Sequence, residues 1–303
     1  MVVRQARAAE ASGFDTVLVM DHFYQLPGIG APEKEMLECY TLLAALAQHT
    51  ERVRLSALVT GNTYRNPALL AKEVTTLDIV SGGRAQLGIG AGWFQLEHDS
   101  LGFEFGTFTD RFSKLEESLQ IIRGMLAGTR PSLDGHWYKV NDAINSPAPL
   151  SRIPIMIGGG GEKKTLRLVA LYADESNLIC QPSDVPRKLD ALAGHCDSVG
   201  RDRSEVVVSL LASCCIAPTH AQAVVEADAY LAAKGIDVSA MSEAESDHAR
   251  AQMVLGSPDE VGEILSTRMI DGVDGFTVNA PANGHIEGRV ELLGQVLRKV
   301  VGT

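Results

Sequence analysis

Positive charge is scarce in this chain. Its 303 residues carry 27 lysines and arginines against 38 aspartates and glutamates, a formal net charge of -11 at pH 7. That balance disfavours a broad nucleic-acid surface or an anionic membrane face, so an anionic ligand must be held by local basic side chains and backbone N–H groups. Cysteine is scarce too. The five (Cys39, Cys180, Cys196, Cys214, Cys215) are odd in number and form no C-x-x-C pair, the usage of a reduced, cytoplasmic protein. The eight histidines show no H-x-x-x-H spacing, and no metal site is expected. A run of about 18 apolar residues is missing, which argues against a membrane span, and VVRQARAAEASGF lacks the apolar stretch of a secretory leader. Two phosphate-binding signatures are also missed. GIGAGW (88–93) has Trp93 where the dinucleotide fingerprint requires its third glycine, and Trp93, Phe94 and Gln95 are expected to give way to a loop at Gly102 rather than to open a helix. GGGGEKKT (158–165) has Lys163 where a P-loop needs glycine before Lys-Ser/Thr.

What is present is alternation. Short β-branched runs at 15–21, 53–60, 84–90, 153–158, 175–180, 205–218 and 275–280 read as seven strands. Helical patterns follow them, among them 35–50, 67–80, 109–128 and 162–173, and one helix, 2–12, precedes the first strand. The strands are nearly continuous apolar runs, as in parallel strands buried on both faces. Polar or glycine-rich clusters stand at strand ends: Asp21-His22, Thr60-Gly61-Asn62, Gly90-Ala91-Gly92 and Gly158 to Gly161. In a barrel of parallel strands such ends converge on one mouth, where an active site is expected; a doubly wound open sheet accommodates seven strands equally well.

The stretches GFDTVLVMDHF, LVTGNTYRNPALLAKEVTTLDIVSGGRAQLGIGAGWFQLEH and IPIMIGGGGEKKTLRLVALYAD resemble the luciferase-like flavin and deazaflavin family, and within it the coenzyme F420-dependent oxidoreductases. The resemblance spans nearly the whole chain and weakens at 131–152 and 236–256. It implies an α/β fold, a (β/α)₈ TIM barrel of the luciferase-like type, over a single domain 1–303 with insertions at those two places. Family members begin with a strand ahead of the helix at 2–12. None is seen here, so the expectation is a barrel lacking its first strand, with Met1 an internal start. An excess of arginine over lysine, with abundant alanine and glycine, suits a GC-rich, actinobacterial genome.

The same resemblance assigns roles. The strand end at Val59 and Thr60 should carry a backbone bulge, often with a non-prolyl cis peptide, that supports the cofactor ring, with Gly61 and Asn62 beside it. Gly90, Ala91 and Gly92 would let the backbone approach that ring, because a Cβ there would fill the ligand's volume. Gly159, Gly160 and Gly161 with Lys163 or Lys164 would hold the cofactor's phosphate at a helix start. His22 would be the proton donor or substrate polariser, and Asp21 its orienter or a cofactor hydrogen-bond partner. Trp93 would wall the mouth, with Glu97 and His98 at the substrate pocket. Some sugar-phosphate dehydrogenases of the family place a glutamate where Trp93 stands, which argues against that activity. The expected reaction is hydride transfer between F420 and a small organic substrate, with an FMN-dependent monooxygenase as the alternative. No nucleic acid and no metal are expected, and a homodimer is the assembly considered.

Overall fold

The computed structural model describes residues 1–302, and the chain divides into two compact units. Residues 16–23 and 36–207 form a central unit; 1–15, 24–35 and 208–302 form a terminal one. The terminal unit opens with α1 (Val2–Ala11). The central unit then runs β1 (Thr16–Val19), α2 (Cys39–Ala47), β2 (Arg54–Ala57), β3 (Thr60–Gly61), α3 (Pro67–Ser81), β4 (Leu87–Gly90), α4 (Gln95–Leu101) and α5 (Phe108–Leu126). It continues with β5 (Leu133–Asp134), β6 (Lys139–Val140), β7 (Ile155–Gly158), α6 (Thr165–Tyr172), β8 (Glu175–Leu178) and α7 (Val185–Ser198). Next come β9 (Val207–Ile216), α8 (His220–Ala233), α9 (Glu243–Arg250), β10 (Val254–Gly256), α10 (Pro258–Ser266), β11 (Gly275–Asn279) and α11 (Arg289–Val301).

Within the central unit β1 pairs with β2 and β3, β4, β7 and β8 pair in that order, all in parallel. In the terminal unit β9 pairs in parallel with β10 and β11. Among the described residues only the hairpin of β5 and β6, inside the predicted insertion at 131–152, is antiparallel. β10 lies in the other predicted insertion and was not among the seven expected strands; its three residues are too short a run to register as a pattern. The helix α4 corrects a second expectation. It begins at Gln95, directly after Trp93 and Phe94, and Gly102 in the left-handed conformation (φ 77°) ends it instead of opening a loop in its place.

Local chemistry sets the boundaries. The Asn66 side chain accepts the Ala68 N–H at 2.9 Å, Pro67 takes the first turn of α3, and Gly82 (φ 72°) closes it. Leu70, Val74 and Leu77 of α3 then reach the core beside Leu43, Leu55, Leu87, Ile89, Leu115 and Ile157. β4 is buried along its whole length, as expected, whereas β1 is half-buried throughout. The terminal unit has its own core of Ala212, Cys214, Ile216, Val254, Val261, Leu265, Leu293, Val296 and Leu297.

Candidate active site

The candidate site occupies the C-terminal ends of the central unit's strands. β1 leads through Met20 to Asp21 and His22, and the two neighbours go separate ways. His22 Nδ1 lies 2.9 Å from Glu97 Oε2, with Glu97 completely buried on α4. The Phe23 N–H donates to Glu97 Oε1 at 2.5 Å, and the Tyr64 hydroxyl donates to Glu97 Oε2. Burial and then Glu97 itself push the Tyr64 phenol up, so it stays a donor. His22 Nε2 has no protein partner among the described residues. The ring is 11% exposed, with Trp93 and Phe94 edge-on at 5.6 and 5.8 Å.

Asp21 does not orient His22, contrary to the expectation from sequence. Its carboxylate is 1% exposed and is held by Arg65, Nη1 to Oδ2 at 2.7 Å and Nη2 to Oδ1 at 3.0 Å, and by the Gly61 N–H at 3.1 Å. A bidentate guanidinium fits a carboxylate better than an imidazole does, so Arg65 wins it. Burial pushes the Asp21 carboxyl up, against Arg65 and the Gly61 N–H, which favour the ionised form. Arg65 also meets Glu38 at 2.8 Å and Glu73 at 3.1 Å. Both Asp21 carboxylate oxygens are therefore engaged by protein donors.

Glu97 and His98 are corrected too. At 0% and 1% exposure they lie beneath the surface rather than lining a substrate pocket. His98 Nδ1 is 2.8 Å from the Phe94 carbonyl, to which it donates, and Nε2 is 2.7 Å from Thr63 Oγ1, so both nitrogens are used. α4, absent from the sequence reading, is what turns both side chains inward.

A non-prolyl cis peptide joins Leu58 and Val59, between β2 and β3, and so shares Val59 with the bulge expected at Val59 and Thr60. Its neighbours Thr60 and Asn62 are buried, with Thr60 Oγ1 2.7 Å from the Tyr40 hydroxyl, whereas Asn62 Nδ2 is buried with no partner. The glycines beside it are also required by the protein's own packing. A Cβ on Gly90 would stand 2.9 Å from Val59 Cγ2, and one on Gly92 (φ 81°) 2.7 Å from Thr63 Oγ1. Protein side chains already stand where such a Cβ would go. Gly158 meets the other Val59 methyl in the same way, also at 2.9 Å. Ala91 is half-buried and Trp93 is 57% exposed, consistent with a wall at the mouth.

At the end of β7, Gly159 (φ 120°), Gly160 and Gly161 lead to α6, which starts with no side-chain cap. The first N–H groups of a helix need acceptors, and an anion supplies them. Sequence left Lys163 and Lys164 equal. Lys164 is drawn to α5, its Nζ 3.2 Å from Thr109 Oγ1 and over the Phe108 ring at 5.2 Å. Lys163 is exposed, with no ion-pair partner among the described residues. A glycine run leading into a helix start without a side-chain cap, with Lys163 exposed beside it and an exposed aromatic wall at Trp93, suits a phosphate-bearing ring cofactor. Tyr64 and Arg65 went unassigned in the sequence, although both lie inside the quoted LVTGNTYRNP; nothing local marks a tyrosine or an arginine as the partner of a carboxylate elsewhere.

Parallel strands whose C-terminal ends carry the polar groups define an α/β protein with a strand-end ligand site. Residues 1–287 match the family described as luciferase-like monooxygenase, and the chain belongs to that family. It is 32% identical over 212 residues to an F420-dependent glucose-6-phosphate dehydrogenase of Segniliparus rotundus, covering 66% of this chain and 60% of that one. The chain thus spans about three fifths of that relative's length. It is 26% identical to a 5,10-methylenetetrahydromethanopterin reductase of Methanolobus tindarius, over 97% of this chain and 94% of the other. The solved structure of an F420-dependent secondary alcohol dehydrogenase in complex with an F420-acetone adduct shares the fold, with a TM-score of 0.81 at 20% identity over 99% of this chain and 94% of the other. The expected α/β fold of the luciferase-like type is borne out by the family match and by the fold shared with that structure. Among the described residues, no helix is long and apolar enough to cross a membrane.

Proposed function

We propose that the chain is a coenzyme F420-dependent oxidoreductase acting on a small organic substrate, in the cytoplasm and as a homodimer. The reading rests on His22: one ring nitrogen is fixed by a buried carboxylate, and the other has no protein partner beside the exposed Trp93. Bound F420 would supply two-electron hydride chemistry. His22 would hold a proton at Nε2 and give it to, or take it from, the substrate oxygen as that oxygen gains or loses charge. Lys163 and the uncapped start of α6 would bind the cofactor's phosphate, and Trp93 with Phe94 would keep water from the imidazole. The F420 dependence of the relatives supports the deazaflavin over FMN.

Parallel titration of the protein with F420 and with FMN tests the cofactor. Tight F420 binding and weak FMN binding are expected. Equal or tighter FMN binding, with oxygen consumed in step with substrate, moves the protein to the monooxygenases. Lys163→Ala should weaken F420 binding about tenfold, an effect reduced at high salt, while Lys164→Ala, already engaged with α5, changes it less.

A further inference from the structure

We propose that Glu97 is a positioning residue for His22: it fixes the imidazole in the tautomer with its proton on Nδ1 and balances the charge of the imidazolium. The proposal builds on the reading of His22 as proton donor. A carboxylate withdrawn from water is kept only where donors replace the water. Glu97 has such donors around it. The Phe23 N–H, at 2.5 Å from Oε1, can only donate, and the Tyr64 hydroxyl donates to Oε2. Facing an acceptor so arranged, His22 Nδ1 at 2.9 Å must carry the hydrogen. That leaves the Nε2 lone pair, or its proton in the imidazolium, for the reacting atom. Because Phe23 follows His22 in the chain, Glu97 grips both the ring and the backbone of one turn, and Trp93 and Phe94 pack edge-on against the same ring at 5.6 and 5.8 Å. The nearby guanidinium of Arg65 is taken by Asp21 and does not compete for Glu97.

Glu97→Gln separates this role from simple packing. The amide oxygen must face the Phe23 N–H, which has no alternative role, so the amide NH₂ turns toward His22 Nδ1. A donor there demands the opposite tautomer, the error that an amide makes in place of a triad aspartate. The measurement is long-range ¹H–¹⁵N NMR of histidine-labelled protein without cofactor, under mildly alkaline conditions, with His22→Asn to assign the signal. The parent should show His22 as Nδ1–H and Glu97→Gln as predominantly Nε2–H. Turnover of the variant should fall by about 10²–10⁴-fold, with F420 affinity within about threefold, as expected when only an interaction of the chemical step is lost. Tyr64→Phe should keep the Nδ1–H tautomer and lose less. An Nε2–H tautomer in the parent overturns the proposal whether or not Glu97→Gln folds, as does a Glu97→Gln enzyme with unchanged tautomer and turnover. The tautomer is read without cofactor, so failure to bind F420 would sink the proposed function and leave this result standing.

Discussion

Asp21 and His22 are adjacent at the end of β1, yet they anchor two clusters of different character. On the Asp21 side a guanidinium meets carboxylates: Arg65 closes on Asp21, Glu38 and Glu73, and the cluster ties the β1 end to Gly61 on β3. Both partners are nearly water-free, with Arg65 9% and Asp21 1% exposed in their side chains. On the His22 side a carboxylate holds an imidazole whose second nitrogen is left to a ligand. The Asp21 carboxylate is gripped by a guanidinium on both oxygens, whereas the His22 ring keeps one nitrogen in reserve. Burial of polar groups is costly unless every partner is supplied, so a scaffold closes on itself and a reactive site does not.

The largest effect expected is on the side held in reserve. His22→Asn keeps much of the hydrogen bonding and removes the imidazole that would pass the proton, so turnover should fall about 10²–10⁴-fold with a nearly unchanged melting temperature. Asp21→Asn giving the same loss of turnover at unchanged stability would erase the distinction between the two sides.

Arg65→Leu probes the closed side. Removing one member of a buried pair leaves the Asp21 charge without its partner and costs about 3–5 kcal/mol. Urea unfolding should register that loss; a variant as stable as the parent would show that the Asp21 cluster does not brace the strand end.

Gly90→Ala sharpens the comparison at the neighbouring strand. Its Cβ would press on a β-branched side chain that Gly158 already confines from the other side. A loss of about 1–3 kcal/mol is expected, partly restored in the Val59→Ala background, since the two changes share one contact. Independent, additive effects would return Gly90 to the role of making room for a ligand.

The smallest effect concerns a reference pair in the terminal unit, where Arg289 binds Glu226 with Asn283 donating to the same carboxylate at 2.7 Å. Arg289 foremost holds the Glu226 carboxyl below its ordinary range, against the opposing effect of burial. A carboxyl whose pKa is lower folded than unfolded stabilises the fold above the unfolded value of 4.5 and loses that contribution as pH falls through the folded value. Thermal melts of Glu226→Gln should therefore show less destabilisation than the parent on acidification below that value. An identical acid response in both would mean that this pair is silent.

Local chemistry wrote much of the fold into the sequence. Asn66-Pro67 and Gly82 bracket α3 because a cap, a first-turn proline and a left-handed glycine act within a few residues of themselves. The apolar runs of β4 and β7 announce buried parallel strands for the same reason, and the resemblance pointed to Val59 and Thr60, where the neighbouring Leu58–Val59 peptide is cis. What the sequence left undecided lies between residues far apart in the chain. Glu97 stands 75 residues from His22 and 33 from Tyr64, Arg65 stands 44 from Asp21, and only the tertiary fold brings each pair into contact. Glycine at 90 reads the same whether it faces a ligand or Val59, and two lysines read the same until Phe108 and Thr109 draw one of them away. A side chain's type states what it can bond to; which partner arrives first, and with the better geometry, is settled by the fold.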